Sequence, residues 1–485
     1  MIVYEHGNPL NYELKLILEL FVPQSQIQYT DKRDEFHNGV TEGAFGLTIE
    51  SDGNKTVISS HEAFSAKVLE QRTLFALENS FKNRFKKHIY QLMSESFDSL
   101  SKWGTLVGIR PVKIVHELLD RSVPVEEIKP IIGEDYLVSP EKVDLLIETA
   151  LRERPHLYPH DPDLISLYIC IPFCPTRCLY CSFPSNDLQK KGKLLPIYLD
   201  KLIEELDFVV GEIKKIGKTI DCIYVGGGTP TSLDEQQLER LLGKIKSHVA
   251  IDEIKEFTVE AGRPDTITRE KLEIMRRHGV DRICINPQTM NDQTLVAIGR
   301  DHGADQIIDV MALARNVGFK TINMDLIMGL PGETVADAEK TVDSIIKMAP
   351  ENITVHTLAV KRASALNESR ETVELAHDVT VETMLERCDA KLRAVGHTPY
   401  YMYRQKKMIG HLENVGYAIK GHSSLYNMRI MEEKHTIIAL GAGAVSKICY
   451  PEENRHERVA NFKGLEDYIN RFDEVLEKKK VIKSL

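Results

Sequence analysis

The chain has 485 residues, and its 62 lysines and arginines against 72 aspartates and glutamates give a formal charge of −10. Apolar residues make up 42% of the chain and charged residues 28%, a balance that is typical of globular enzymes and excludes a disordered or fibrous protein. Mild acidity gives no reason to expect nucleic acid as the main partner. At about 150 residues per domain the length predicts roughly three domains, although one α/β barrel can hold more than ~200 residues.

Cysteine use and apolar patterning predict a cytoplasmic protein. No stretch approaches the ~20 apolar residues that a membrane-spanning helix needs. The first residues lack a basic segment followed by an apolar core, so we expect no signal peptide. We therefore expect the eight cysteines to stay reduced. Four of them fall between Cys170 and Cys181, and reduced, clustered cysteines indicate metal or redox chemistry.

Residues 1–103 predict an N-terminal α+β domain. Within it, the segment 45–59 has the pattern of a strand, a turn and a second strand, and therefore predicts a hairpin. A long helical pattern follows over 63–101. Residues 104–160 predict a helical connector that ends in a proline-rich segment.

From residue 161 the pattern becomes that of an α/β protein. Six short β-rich runs alternate with amphipathic helical stretches, which favours parallel βα units in a barrel or a doubly wound sheet. In both arrangements, functional groups collect where the strands end. The predicted strands cover 166–172, 221–226, 257–261, 282–286, 321–328 and 352–360. The predicted helices between them cover 196–215, 235–248, 270–278, 304–317 and 335–348.

Three cysteines follow the first of these strands with the spacing CxxxCxxC, namely Cys174, Cys178 and Cys181. A loop this short can wrap one compact inorganic centre. A fully ligated [4Fe–4S] cluster uses four thiolates, so three would leave one iron open for a small molecule. The spacing alone also allows a structural zinc site with a further ligand elsewhere, or three unconnected buried thiols.

The CxxxCxxC loop resembles the signature of the radical S-adenosylmethionine (SAM) superfamily. The resemblance implies a partial (β/α)6 TIM-type barrel over 161–385, followed by a smaller C-terminal domain over 386–485. It also implies that the three thiolates hold a [4Fe–4S] cluster whose open iron chelates the amino and carboxylate groups of SAM. In that superfamily the reduced cluster splits SAM, and the resulting 5′-deoxyadenosyl radical abstracts a hydrogen atom from the substrate.

Two further strand ends carry the same resemblance. The run Gly226-Gly227-Gly228-Thr229 lets a ligand approach the backbone closely. It resembles the loop that contacts the methionine part of SAM in this superfamily. Glu260, in the segment Val-Glu-Ala-Gly-Arg-Pro, resembles the acid that contacts SAM.

The segments 282–302 and 324–333 resemble one branch of the superfamily, which contains oxygen-independent coproporphyrinogen III oxidase. Four residues in them match positions that contact SAM: three at the ribose or methionine part and an isoleucine near the adenine. These residues are Gln288, Arg300, Asp325 and Ile327.

The resemblance also includes the first strand of the barrel and the size of the N-terminal region. Tyr168 matches the tyrosine that opens the first strand motif, and the resemblance places it, with Glu260, in the catalytic centre. The likeness is strongest to the coproporphyrinogen dehydrogenase or oxidase-like subgroup, whose members carry an extra N-terminal region of this size.

The resemblance implies a SAM-dependent oxidoreductase of heme biosynthesis, which converts coproporphyrinogen III to protoporphyrinogen IX without oxygen. Two propionates of the substrate would become vinyl groups, and a donor such as flavodoxin or ferredoxin would supply the reducing electron. Arginine or lysine side chains would hold the carboxylates of this substrate. The candidate cations are Lys361, Arg362, Arg404 and Lys406.

Three departures from the branch keep an alternative open. Phe183 stands where the characterised oxidase has a fourth cysteine and where related heme chaperones have phenylalanine. The alternative is therefore a chaperone that binds and delivers heme and lacks oxidase activity. The chaperone motif His-Asn-x-x-Tyr-Trp corresponds here to residues 413–418, which have Glu for His and Ala for Trp. Cys170 stands where the branch often has histidine, and its place in the strand predicts a buried residue that is not a cluster ligand.

Overall fold

The chain divides into two compact units, residues 1–147 and 148–485. No helix in the described part of the chain is long and apolar enough to cross a membrane. The finer division into four domains stays a prediction. The computed structural model describes residues 1–75, 81–108, 110–183, 185–368, 373–450, 453 and 455–485.

The first unit combines one sheet with several helices. Its elements in chain order are β1 (Ile2–His6), α1 (Asn11–Leu18), β2 (Gln28–Thr30), α2 (Arg33–Thr41), β3 (Gly46–Ser51), β4 (Lys55–His61), β5 (Val68–Phe75), α3 (Phe81–Phe97), α4 (Val112–Asp120), α5 (Val125–Pro130) and α6 (Pro140–Leu157), which continues into the second unit. The sheet order is β2-β1-β3-β4-β5. β1 pairs in parallel with β2 and β3, and the β3-β4-β5 meander is antiparallel.

The predicted hairpin is present as β3 and β4, but the helix predicted over 63–101 is wrong in its first part. Residues 68–75 form β5, which pairs with β4, and the helix α3 begins at Phe81. Residues 76–80 of that prediction lie outside the described residues. Pairing with β4 satisfies the backbone hydrogen bonds of 68–75, and such tertiary pairing overrides the local helix preference of its Glu, Gln and Arg residues.

The second unit contains the predicted α/β segment. Its strands are β6 (Leu164–Ile171), β7 (Phe173–Cys174), β8 (Asn186–Asp187), β9 (Thr219–Gly227), β10 (Glu256–Gly262), β11 (Arg282–Gln288), β12 (Thr321–Met328), β13 (Asn352–Thr357), β14 (Thr398–Tyr403), β15 (Asn414–Ala418), β16 (Ile437–Leu440), β17 (Val445–Tyr450) and β18 (Arg455–Ala460). Its helices are α7 (Leu188–Lys191), α8 (Leu195–Lys215), α9 (Glu235–His248), α10 (Arg269–Arg277), α11 (Asp292–Ala297), α12 (Ala304–Val317), α13 (Val335–Met348), α14 (Ala365–Glu368), α15 (Asp378–Ala394), α16 (Leu425–Glu432), α17 (Leu465–Asn470) and α18 (Phe472–Lys479).

Eleven of these strands form one sheet of order β14-β15-β13-β12-β11-β10-β9-β6-β16-β17-β18. The six predicted strands are β6 and β9 to β13, and they pair in parallel in chain order. The predicted helices between them are present as α8, α9, α10, α12 and α13. β14 and β18 are the two outer strands of the sheet, so the barrel is open. The α/β fold class with a partial barrel is thereby confirmed.

Residues 386–485 contribute β14 to β18 to this same sheet. β15 pairs antiparallel with β13, and β16 pairs parallel with β6. A buried carboxylate on α8 holds the end of β16 in place. Glu205 accepts hydrogen bonds from the N–H of Gly441 at 2.8 Å, the amide of Asn461 at 2.8 Å and the hydroxyl of Tyr468 at 2.6 Å.

Side chains alternate between two environments along the parallel strands. In β11, Ile283 and Ile285 are fully buried on one face of the sheet. Arg282, Cys284 and Asn286 point to the other face, where they line a cavity inside the barrel. A strand places successive side chains on opposite faces. The same strand can therefore pack apolar side chains on the outer face of the barrel and present polar side chains to the cavity inside it.

Candidate functional site

A cavity of about 350 Å³, the cysteine cavity, lies inside the barrel and at the carboxyl ends of its parallel strands. Twelve of the thirteen predicted site residues line it. They are Tyr168, Cys174, Cys178, Cys181, Gly227, Gly228, Thr229, Glu260, Gln288, Arg300, Asp325 and Ile327. Gly226 is not among the lining residues, because the ring of Tyr224 lies over it: a Cβ at Gly226 would be 2.8 Å from Cε1 of Tyr224.

The loop after β6 brings Cys174, Cys178 and Cys181 to one wall of the cysteine cavity, and all three are free cysteines. The N–H of Cys181 donates to the carbonyl oxygen of Cys178 at 3.1 Å, which keeps the loop compact. Burial raises the pKa of the Cys174 thiol, and it raises that of Cys181 to about 11. A metal would therefore displace protons on binding. Three thiols on one wall fit an iron–sulfur cluster with one open iron.

The glycine run after β9 leaves no room for side chains beside the cysteine loop. A Cβ at Gly228 would lie 2.5 Å from the carbonyl oxygen of Phe173 and 2.9 Å from the sulfur of Cys174. Gly227 has a φ of 115°, and a Cβ there would lie 2.8 Å from the sulfur of Cys170. Glycine is required at both positions, because the backbone of β9 approaches the cysteine loop this closely.

Arg263, at the end of β10, holds the cysteine loop. Its guanidinium donates to the hydroxyl of Thr176 within the loop at 2.6 Å. It also donates to both carboxylate oxygens of Asp265, at 2.9 and 2.8 Å. Arg263 is not among the predicted site residues, and the only signal for it in the sequence is its position three residues after Glu260 at the same strand end.

Glu260 lies in a cluster of aromatic rings. The hydroxyl of Tyr224 donates to its Oε1 at 2.6 Å. The ring of Tyr224 stacks on that of Tyr426 with centroids 4.3 Å apart, and Tyr168 stacks on both at 6.2 and 5.9 Å. Burial raises the pKa of Glu260 to about 7, although the hydrogen bond from Tyr224 opposes this rise. The carboxyl group can therefore change its charge near neutral pH.

Asp325 keeps its charge although it is buried. Burial disfavours the carboxylate, but His356, whose Nε2 lies 3.8 Å from Oδ2 of Asp325, and a hydrogen bond from Asn323 outweigh this and lower the pKa of Asp325. The amide of Asn323 donates to Asp325 at 2.7 Å. The hydroxyl of Tyr403 lies 3.3 Å from Nδ1 of His356 and extends this network.

Several buried polar atoms of the cysteine cavity lack a hydrogen-bond partner among the described residues, and two of them belong to predicted SAM contacts. They are Oε1 of Gln288 and Nε of Arg300. Gln288 also has a φ of 69°, a left-handed conformation that is uncommon for a residue other than glycine. Buried polar groups are normally paired, so these atoms indicate that a polar ligand completes the site. They fit the predicted contacts to SAM.

A second cavity of about 400 Å³, the tyrosine chamber, adjoins the cysteine cavity. The two cavities share eight lining residues, among them Tyr168, Gly227 and Glu260. The walls of the tyrosine chamber are mainly apolar or aromatic, and they include Tyr401, Tyr403, Tyr426, Ile430, Met431, Ala442, Ala444 and Val445. Phe183, which is 67% exposed, lies on the wall of both cavities.

Of the four candidate cations for substrate carboxylates, only Lys361 lines either cavity. The prediction is wrong for Arg404, which is 4% exposed and donates to the carbonyl oxygen of His411. Its side chain turns into the protein instead of toward the strand ends. Cys170 is buried, as predicted.

Comparison with known proteins places this geometry in context. The sequence profile of the radical SAM superfamily matches residues 168–345. The chain is 36% identical over 487 residues to a Bacillus subtilis protein described as oxygen-independent coproporphyrinogen-III oxidase-like protein HemZ, covering 98% of this chain and 95% of that protein. It is 36% identical over 198 residues to the heme chaperone HemW of B. subtilis, covering 40% of this chain and 51% of the chaperone.

The fold is similar to that of coproporphyrinogen III oxidase (HemN) from Escherichia coli, which is described as a radical SAM enzyme. The TM-score is 0.54 at 21% sequence identity, with 68% of this chain and 73% of the oxidase covered. The partial barrel and the cysteine loop at its strand ends define a radical SAM protein. Within that superfamily, the chain belongs to the family of oxygen-independent coproporphyrinogen-III oxidase-like proteins. Radical SAM proteins use a [4Fe–4S] cluster and SAM, and the cysteines between 170 and 181 are consistent with both.

Proposed function

We propose that this chain is a SAM-dependent oxidoreductase that converts coproporphyrinogen III to protoporphyrinogen IX without oxygen. The observation that carries the proposal is the sharing of Tyr168, Gly227 and Glu260 by the cysteine cavity and the tyrosine chamber. A substrate in the tyrosine chamber would lie directly beside the cofactor. Similarity to the oxidase-like protein over 98% of the chain supports the same assignment.

We assign the cofactor-binding residues as the sequence predicts them. Cys174, Cys178 and Cys181 would hold the [4Fe–4S] cluster. With SAM bound, this cofactor supplies the 5′-deoxyadenosyl radical that takes a hydrogen atom from the substrate. The residues that would bind SAM are Tyr168, Gly226, Gly227, Gly228, Thr229, Glu260, Gln288, Arg300, Asp325 and Ile327.

The chain would contribute position, exclusion of water and proton control. Tyrosine and aliphatic walls keep water away from the reacting carbon atoms, which protects a reactive radical. Glu260 would accept a hydrogen bond from the SAM amino group, since its carboxylate is placed where both cavities meet. Tyr168 would pack beside the cofactor as part of the catalytic centre.

The overall reaction defines what must enter and leave. Each of two propionates loses one hydrogen atom from its β-carbon, one molecule of carbon dioxide and one electron, and a vinyl group remains. The electron passes to an acceptor outside the chain. A donor such as flavodoxin or ferredoxin would supply the electron that reduces the cluster.

The second candidate function is heme capture and delivery. The 36% identity to a heme chaperone over 198 residues favours it, as does Phe183 at the position of the oxidase's fourth cysteine. The segment that corresponds to the chaperone motif argues against it. In this chain Asn414–Ala418 is β15, a fully buried strand between β13 and β14. The histidine of the motif is replaced by Glu413, so this segment offers no imidazole to a heme iron.

The decisive experiment uses full-length protein reconstituted with iron and sulfide without oxygen. SAM, a reductant, an electron acceptor and coproporphyrinogen III are added, and carbon dioxide, 5′-deoxyadenosine and protoporphyrinogen IX are measured. We expect two carbon dioxide molecules for each protoporphyrinogen IX, and no product from a Cys178→Ser variant. If the protein binds heme stoichiometrically and releases no carbon dioxide, the oxidase proposal is wrong and the heme-carrier function is supported. Zinc in place of iron and sulfide in protein purified without oxygen and before reconstitution would exclude the radical reaction.

A further inference from the structure

Arg282 is a buried cation with an unused hydrogen-bonding edge. It is the first residue of β11, is 3% exposed and lines the cysteine cavity. Its Nη1 donates to the carbonyl oxygen of His422 at 3.0 Å. Its Nε and Nη2 have no hydrogen-bond partner in the part of the chain that the structure describes.

The carboxylate that acts on Arg282, that of Glu256, already accepts hydrogen bonds from other groups. Glu256 attracts the guanidinium electrostatically, but its two carboxylate oxygens cap the first turn of α16. They accept hydrogen bonds from the hydroxyl of Ser424 at 2.9 Å and from the N–H groups of Leu425 and Tyr426 at 2.6 and 3.3 Å. Among the described residues, no carboxylate lies within ion-pair distance of Arg282. A buried charge without a partner of opposite charge is strongly unfavourable, so an anion is expected beside the guanidinium.

The unused edge has the shape of a carboxylate receptor. The N–H bonds of Nε and Nη2 point in the same direction from one side of the planar guanidinium. Two parallel donors of this kind bind both oxygens of one carboxylate, whereas a lysine offers only a point charge. Arginine in an apolar interior always carries its charge, so the edge is a donor at every accessible pH.

The position of Arg282 connects this edge to the tyrosine chamber. Strand register aligns Tyr168 with Tyr224, Tyr224 with Thr258, and Thr258 with Arg282. The guanidinium therefore lies in the same row of the barrel as two chamber tyrosines. Asn427 lines both cavities. The part of the cysteine cavity that contains Arg282, the cavity floor, therefore connects with the tyrosine chamber.

We propose that Arg282 is a carboxylate-binding residue on the cavity floor, and that it holds one propionate of the tetrapyrrole substrate. This inference rests on the proposed function, since it names the substrate group that the floor receives. One fixed propionate would orient the macrocycle and select which of the others faces the cofactor. SAM also carries a carboxylate, so the test must separate the two sources.

The experiment measures binding of coproporphyrin III and of SAM to full-length, anaerobically reconstituted protein. Coproporphyrin III binding is followed by porphyrin fluorescence, and SAM binding by calorimetry. We expect Arg282→Met to raise the Kd for coproporphyrin III by about 10-fold to 100-fold, because a bidentate charged contact is lost. The Kd for SAM stays unchanged. Arg269→Met removes an exposed arginine of α10 outside both cavities and serves as the matched control with wild-type affinity.

Two further measurements test the role of Arg282 even if Arg282→Met folds poorly. Arg282→Lys retains the charge without the two-donor edge, and we expect an intermediate Kd at wild-type thermal stability and iron content. Wild-type protein should also bind the tetramethyl ester of coproporphyrin III more weakly than the acid. In Arg282→Lys we expect the ratio of the two Kd values, ester to acid, to be smaller than in wild type.

The possible failures are distinguishable. No binding of coproporphyrin III by wild-type protein would contradict the proposed function and this inference with it. Wild-type binding that folded Arg282 variants retain in full would overturn the role of Arg282 alone. Loss of SAM binding with unchanged coproporphyrin binding would assign the edge to the SAM carboxylate and overturn the propionate assignment.

Discussion

The hydroxyl of Tyr224 donates a 2.6 Å hydrogen bond to Oε1 of Glu260, and this pair stands where the cysteine cavity and the tyrosine chamber meet. The bond keeps a carboxyl group in place within an aromatic cluster. Burial outweighs the bond, so the pKa of Glu260 rises to about 7. Conditions near neutral pH thus change the charge at the centre of the site.

Replacement of Glu260 by glutamine tests this raised pKa. The pKa in the folded protein, about 7, lies above the ordinary value of 4.5, so the folded state binds an extra proton between these values. Wild-type stability then falls as pH rises through this window. We expect Glu260→Gln to be more stable than wild type at pH 8 by up to about 3 kcal/mol and to lose this advantage near pH 4.5. Thermal unfolding of cluster-free protein at both pH values provides the measurement, and a difference that does not depend on pH would contradict the prediction.

Single replacement of a loop cysteine tests the cluster assignment. We expect Cys178→Ser protein, reconstituted without oxygen, to contain only background iron and sulfide, because two thiolates do not hold a [4Fe–4S] cluster. Cys388→Ala removes a buried cysteine of α15 and is the control, with iron content equal to wild type. Equal iron in both variants would exclude Cys178 as a ligand.

The close approach of β9 to the cysteine loop makes Gly228 intolerant of any side chain. Gly228→Ala would place a Cβ 2.5 Å from a backbone oxygen, and we expect a loss of about 1–3 kcal/mol in unfolding free energy together with lower iron occupancy. Gly211→Ala, in the helix α8, meets no atom within 4 Å. It should therefore raise stability by about 0.5–1 kcal/mol, since alanine favours the helix. Equal effects of the two substitutions on iron content would refute the steric argument.

The buried pair of Lys479 and Glu205 predicts a large effect on stability. The lysine nitrogen lies 3.4 Å from the carboxylate, and both side chains are inaccessible to solvent. Lys479→Met leaves the carboxylate without its charged partner, which costs about 3–5 kcal/mol in stability. Asp200→Asn breaks an exposed pair with Arg240 and costs at most about 1 kcal/mol. Urea unfolding of the wild type and the two variants checks the contrast. Costs of similar size would show that burial does not govern the effect.

Local patterns were sufficient for the barrel and for most of the cysteine cavity. Hydrophobic runs predicted all six parallel strands, and the chemical motifs fall at their ends because parallel strands present their carboxyl ends to one edge. Residues that enter the site from distant parts of the chain were not predicted. Tyr426 reaches the site through α16, whose first turn is capped by a residue 169 positions away in the sequence. No local pattern encodes such a contact. β5 was missed for another reason, because its pairing with the neighbouring strand β4 overrides the helix preference of Glu70, Gln71 and Arg72.

The arrangement of the eleven-stranded sheet limits how the protein can be divided. A fragment that ended at residue 385 would lack β14 to β18, leaving one free edge along β6 and another along β13. Exposed, unpaired edges of long apolar strands recruit other chains. Such a fragment would aggregate even though it contained every cysteine of the CxxxCxxC loop, and attempts to isolate a minimal catalytic core should therefore retain the C-terminal residues.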